Sequence, residues 1–345
     1  MSRTKHHPKA PAFTYRSGIG IAGTPITCDA LGFPDDLIFL AHARALAPAD
    51  VAFLASARAG RRQVVTTERT LRLLGAAGER LRSRALPAAF GRPFNLGAHR
   101  IEVVPSGYLP GAAALLCRSE KRQVLYAGAF CLEPLVDGLE PGEIRRAHAL
   151  CVNATFAAPG LDLPPRRQAL AEVRAFVEEA LADNRTPVLL ASPLASLVPV
   201  AFDLARAGLP LRAHAGVARA LEELRSLCPT LPLVKRFSGR AARGEVLLWP
   251  PEARDAAALH RLDPLRLALV SGQAKSPEVL ARMRLSHGFA LTTLPNFKEI
   301  LTLVEASGAT EVALDRGPAE PLLACLGERG LFAYTLGPPW QMSLL

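Results

Sequence analysis

The chain has 345 residues, 50% of them apolar and 21% charged, with 41 Lys and Arg and a net charge of +10. That length supports a sizeable core in one large domain or two, and the composition excludes a disordered or fibrous chain. No apolar run reaches the roughly 18 residues that a spanning helix needs, and the positive charge is spread along the chain rather than gathered into a stripe, so charge alone does not settle whether nucleic acid is a partner.

Residues 1–17 read as a flexible basic arm, and no apolar segment of the kind a secretory signal carries follows them, so the expected location is the cytoplasm with no membrane association. Strand-like apolar runs then follow one another at Ile19–Ile26, Leu37–Ala43, Gln63–Thr66, Arg100–Val104, Ala113–Cys117, Gln123–Tyr126 and Ala149–Val152. Helical spacing is confined in this half to Pro48–Ala57 and Glu68–Leu74. The six cysteines, Cys28, Cys117, Cys131, Cys151, Cys228 and Cys325, form no C-x-x-C pair, which points to buried small hydrophobes.

After the Pro- and Gly-rich segment Ala157–Pro165 the texture changes to alternating helices and strands, the pattern of a parallel sheet with crossover helices. Arg166–Ala182 carries Leu170, Val173, Phe176, Val177 and Ala180 at helical spacing. Pro187–Ala191 reads as a buried strand, Leu194–Ala207 and Val217–Leu227 as helices, and Glu245–Trp249 as a further strand. From Leu267 come strands Leu267–Ser271 and Phe289–Thr292, helix Asn296–Ala306, strand Glu311–Leu314, helix Ala319–Arg329 and strand Leu331–Thr335. This order predicts one domain, 18–157 with 265–345, interrupted by an inserted domain at 158–264.

Motifs recur along this frame. Asp29-Ala30 and Leu37-Ile38-Phe39-Leu40-Ala41-His42-Ala43-Arg44-Ala45-Leu46-Ala47 place a strand before a loop with one histidine. Val104-Pro105-Ser106-Gly107-Tyr108, Gln123-Val124-Leu125-Tyr126-Ala127-Gly128-Ala129-Phe130 and Cys151-Val152-Asn153-Ala154-Thr155-Phe156 each end an apolar strand in a turn. Leu291-Thr292-Thr293-Leu294-Pro295-Asn296-Phe297-Lys298-Glu299 and Val312-Ala313-Leu314-Asp315-Arg316-Gly317 do the same near the C-terminus. In this order and spacing the chain resembles the metallo-β-lactamase/β-CASP nucleases, and within them the bacterial ligase-associated DNA exonucleases and RNA 3′-end processing factors.

The resemblance implies an αββα sandwich with a compact β-CASP-like α/β insertion. It also places His42 at the one retained ligand position, with Arg44, Leu46, Ala47, Tyr108, Ala129, Leu294 and Arg316 where the family carries its other metal ligands and Asn153 at an acidic position. A two-zinc hydroxide centre needs several anionic or imidazole donors, so this set implies no metal, no cofactor and no catalytic residue of the family kind. By resemblance to inactive partner subunits, the expected function is a scaffold or nucleic-acid-binding subunit in DNA repair or RNA processing. The alternatives are an active DNA or RNA exonuclease with a non-standard site and a sliding-clamp-tethered interaction protein.

Three further features bear on partners. Arg44 and Arg316 read either as a phosphate clamp or as paired surface cations. Lys235, Arg236, Arg240 and Arg243 around Phe237 form the densest basic and aromatic patch of the middle region, readable as a nucleic-acid contact or as a solvated loop. The C-terminal Gln341-Met342-Ser343-Leu344-Leu345 resembles the peptide with which bacterial replication and repair proteins bind the sliding clamp, with Gln341, Met342, Leu344 and Leu345 as the contacts. An active nuclease, a repair factor or a sliding clamp is therefore the expected protein partner.

Overall fold

The short apolar runs of the first half form short strands. In a computed structural model of the chain, which describes residues 10–158, 161, 163–191, 196–262 and 264–337, residues 13–87 run β1 (Phe13–Tyr15), β2 (Ile19–Ile21), β3 (Ile26–Cys28), β4 (Leu37–Phe39), α1 (Pro48–Leu54), β5 (Gln63–Thr66), α2 (Glu68–Leu73), α3 (Ala76–Leu81) and β6 (Ala85–Pro87). They build a six-stranded sheet in chain order, antiparallel from β1 to β3 and parallel from β3 to β6. The run Ile19–Ile26 is two strands rather than one. Thr24 reverses the chain between them: its hydroxyl donates to the Ile21 carbonyl and accepts from the Ile26 N–H.

The second sheet begins with β7 (Phe94–Leu96), β8 (His99–Pro105), β9 (Ala113–Arg118), β10 (Gln123–Gly128) and β11 (Ala149–Asn153). The chain then leaves it for a third sheet, through α4 (Arg166–Ala182), β12 (Thr186–Ala191), α5 (Leu197–Arg206), β13 (Leu211–Ala213), α6 (Ala215–Arg225), β14 (Lys235–Arg236), β15 (Val246–Trp249), α7 (Ala257–His260), β16 (Leu265–Val270), α8 (Pro277–Arg282) and β17 (Gly288–Phe289). These strands are all parallel, in the order β14-β13-β15-β12-β16-β17. Only afterwards do α9 (Phe297–Ser307), β18 (Glu311–Asp315), α10 (Glu320–Glu328) and β19 (Phe332–Leu336) return, β18 pairing with β11 and β19 with β18.

The return point corrects the expected boundary at residue 265. Val188–Ala191 is buried throughout, and β12 takes β15 on one side and β16 on the other, so Leu265–Val270 is a central partner of the third sheet. Gly288–Phe289 then pairs with β16, whereas the expected strand reached to Thr292.

Burial follows the layers. Phe13, Ile26, Phe39 and Val65 of the first sheet pack against Ile101, Leu115, Tyr126 and Cys151 of the second. The outer face of the first sheet is covered by Leu54, Leu71 and Leu81, and that of the second by Ile300, Leu303 and Leu322. The order is helices, sheet, sheet, helices. The third sheet has its own two-sided core, with Val173, Val177, Leu204 and Leu221 on one face and Leu259 among the residues on the other. α9 starts on a capping box, in which Asn296 accepts from the Glu299 N–H at 2.9 Å and the Glu299 carboxylate accepts from the Asn296 N–H at 2.8 Å. Five of the cysteines are buried free thiols, and Cys325 is half-buried. No helix among the described residues is long and apolar enough to cross a membrane.

Candidate functional site

A cleft of about 1040 Å³ opens where the strand ends of the first two sheets meet. It gathers most of the positions singled out in the sequence: His42, Arg44, Tyr108, Ala129, Asn153, Leu294 and Arg316 all line it. Leu46 and Ala47 do not. Leu46 packs against the outer core of the first sheet, and Ala47 stands at the start of α1 with extended backbone.

His42 is buried on the loop after β4, where its Nδ1 accepts from the Arg44 N–H at 3.2 Å, which leaves the ring proton on Nε2. Its ring lies 4.8 Å from that of Tyr108, tilted by 56°. Burial, together with the Arg316 and Arg44 guanidiniums, pushes the imidazole down to about 3, so it is neutral at neutral pH. Gly107 holds the turn that presents Tyr108: its φ of +74° suits glycine, and a Cβ there would meet the Cys131 carbonyl oxygen at 2.3 Å. Burial raises the Tyr108 phenol, and Arg44 and Arg316 draw it back down.

The floor holds two motif residues to which the sequence reading gave no role. Asp29, at the end of β3, accepts from the Ala41 N–H at 2.7 Å through one carboxylate oxygen and from the Tyr126 hydroxyl at 2.8 Å through the other. Burial raises its carboxyl to about 6 against the pull of those two hydrogen bonds. Asp315, at the end of β18, lies 3.4 Å from the Arg316 Nε; burial raises its carboxyl and Arg316 lowers it. Cys28 also lines the cleft, but burial pushes its thiol well up, which leaves it a poor nucleophile.

Asp29 and Arg316 both have left-handed backbone, φ 51° and 64°. Non-glycine residues adopt that conformation at a cost, so both turns are held by their surroundings. For Arg316 the neighbouring Gly317 is the support: at φ +80° it lies so close to β11 that a Cβ would meet the Ala154 carbonyl oxygen at 2.3 Å. Asn153 accepts from the Thr155 N–H at 3.0 Å through Oδ1, which turns its amide towards the cleft polar lining. The available signal for Asp29 and Asp315 was a polar residue closing a buried strand, both within stretches already aligned by the motifs.

The donors present do not fit a two-zinc centre. One imidazole stands beside two guanidiniums, Asp29 has both oxygens committed, and Asp315 faces Arg316. Among the described residues no group of three or more His, Cys, Asp or Glu side chains is placed to hold a metal ion.

The other candidates lie apart. Lys235 and Arg236 are exposed on the edge strand β14, Arg240 and Arg243 are exposed in the loop beyond it, and none of the four lines the cleft. Phe237 is turned inward against Trp249, with ring centroids 5.4 Å apart, and Arg243 donates to the Asn184 amide oxygen. Gln341, Met342, Leu344 and Leu345 lie outside the described residues.

No family model matches the chain. A protein of Opitutus terrae named "Probable DNA ligase" is 28% identical over 241 residues, which is 70% of this chain and 24% of that protein. The chain is thus distantly similar to part of a larger DNA ligase-related protein.

Proposed function

We propose that this chain is a non-catalytic DNA-processing subunit, built as a metallo-β-lactamase-like sandwich with a β-CASP-like insertion whose cleft has been converted from metal binding to polynucleotide binding. The observation that carries this reading is the convergence of His42, Arg44, Tyr108, Ala129, Asn153, Leu294 and Arg316 on one cleft. These residues, spread from position 42 to position 316, stand where the resemblance puts that family's ligands and line one cleft, although Leu46 and Ala47 of the same set do not. Support for the architecture comes from the layer order of helices, two sheets and helices with a parallel sheet inserted between β11 and β18. Support for DNA as the polymer comes from the similarity to a ligase-named protein.

The protein therefore acts as a scaffold that holds DNA beside a catalytic partner, a nuclease or a repair factor. The test is to incubate the purified chain with labelled single- and double-stranded oligonucleotides in Mn²⁺ or Zn²⁺ and to measure binding and product length together. Retarded but intact DNA is the expected result. Shortened products that vanish on substitution of cleft residues would identify an active nuclease instead.

A further inference from the structure

We infer that the cleft grips the sugar–phosphate backbone of single-stranded DNA at its rim, with Arg44 and Arg316 as a metal-free phosphate clamp and Tyr15 as a stacking surface for a base; this rests on the DNA-binding reading above. The two arginines reach the site from different sheets, one from the loop after β4 and one from the turn after β18. Both line the same cleft as His42 and Tyr108. Arg44 is exposed and makes no ion pair among the described residues. The Arg316 side chain is 68% exposed, with its Nε 3.4 Å from an Asp315 carboxylate oxygen, so much of the guanidinium faces solvent. A guanidinium offers a planar fork of donors that matches phosphate geometry.

The distribution of charge with depth favours a polymer over a small anion. The floor carries the Asp29 and Asp315 carboxylates, and Glu320 lines the wall, so an inorganic phosphate sinking into the cleft meets like charge. A phosphodiester held at the rim avoids them while its base enters. Tyr15, 40% exposed at the end of β1, lines the same opening. Beside it Arg16 is exposed in the turn that leads to Ser17 and Gly18, and it makes no ion pair among the described residues. Cations tracking a backbone beside an exposed aromatic ring is the arrangement that binds single strands without reading sequence. A duplex would leave its bases stacked and out of reach of Tyr15.

The experiment is fluorescence anisotropy of a dye-labelled oligo-dT 12-mer with the full chain, titrated at several NaCl concentrations. The variants are Arg44→Ala/Arg316→Ala, Tyr15→Leu and, as a control away from the cleft, Arg82→Ala. Loss of two phosphate contacts is expected to weaken binding about tenfold or more and to reduce the slope of log affinity against log salt by about 1.4. Tyr15→Leu is expected to weaken binding about tenfold with the slope unchanged, and Arg82→Ala to bind as the parent does. If the double variant binds with unchanged affinity and slope, the clamp is wrong although the DNA-binding reading stands. If the parent protein binds no DNA, both fall. If the parent degrades the oligonucleotide and the double variant no longer binds it, the clamp stands and the non-catalytic reading falls.

Discussion

His42 and Asp29 share the cleft but titrate in opposite senses. The folded protein holds His42 down to about 3, below its ordinary 6.5, so the fold resists protonating it, and stability is lost as pH falls from 6.5 towards 3, by up to about 5 kcal/mol. The folded protein holds Asp29 up at about 6, above its ordinary 3.8, so the fold favours the proton, and stability rises as pH falls from 6 to 3.8, by up to about 3 kcal/mol. Between pH 6 and 4 the two trends oppose each other. Denaturant unfolding at pH 7, 5.5 and 4 is expected to show His42→Gln gaining on the parent as the solution is acidified, and Asp29→Asn falling behind it. Parallel curves for all three proteins would mean that neither group is held as described. The motif positions were legible through the family resemblance, which orders them along the chain. The commitment of Asp29 was not, because its partner Tyr126 lies 97 residues away on the other sheet.

Among the elements, the two ends of the chain are tied through one buried carboxylate. Glu311, the first residue of β18, accepts from the Ala12 N–H ahead of β1 and from the Tyr334 hydroxyl of β19 at 2.9 Å, and it pairs with Arg122 in the turn before β10. Removing it leaves the buried Ala12 N–H without its acceptor and takes one acceptor from Tyr334 and the carboxylate from half-buried Arg122, at a cost of about 3 kcal/mol for Glu311→Ala. Chemical denaturation checks this, and a loss below about 1 kcal/mol would place the ion pair among the weak surface kind. Helices such as α4 and α9 were legible because their apolar residues recur at helical spacing and α9 carries its own cap. The membership of β16 and β17 in the third sheet was not. A buried strand's sequence records that it has neighbours on both sides but not which strands they are.

At the scale of the molecule, the mixed α/β character and the passage from short mixed strands to parallel strands were both written in the hydrophobic pattern. The layer order, by contrast, emerges only when β18 and β19 return to the second sheet beside β11. That return brings the turn carrying Arg316 to the loop carrying His42 and Arg44, and so creates the cleft. The account stands on a cleft whose rim carries Arg44 and Arg316 and whose side chains do not make a metal site. The most direct measurement is zinc and manganese content per chain by elemental mass spectrometry, after purification without chelator and again after equilibration with excess Zn²⁺ and gel filtration. The expected result is well under one ion per chain in both cases. A stoichiometric ion that disappears when His42 and Asp315 are replaced would contradict it.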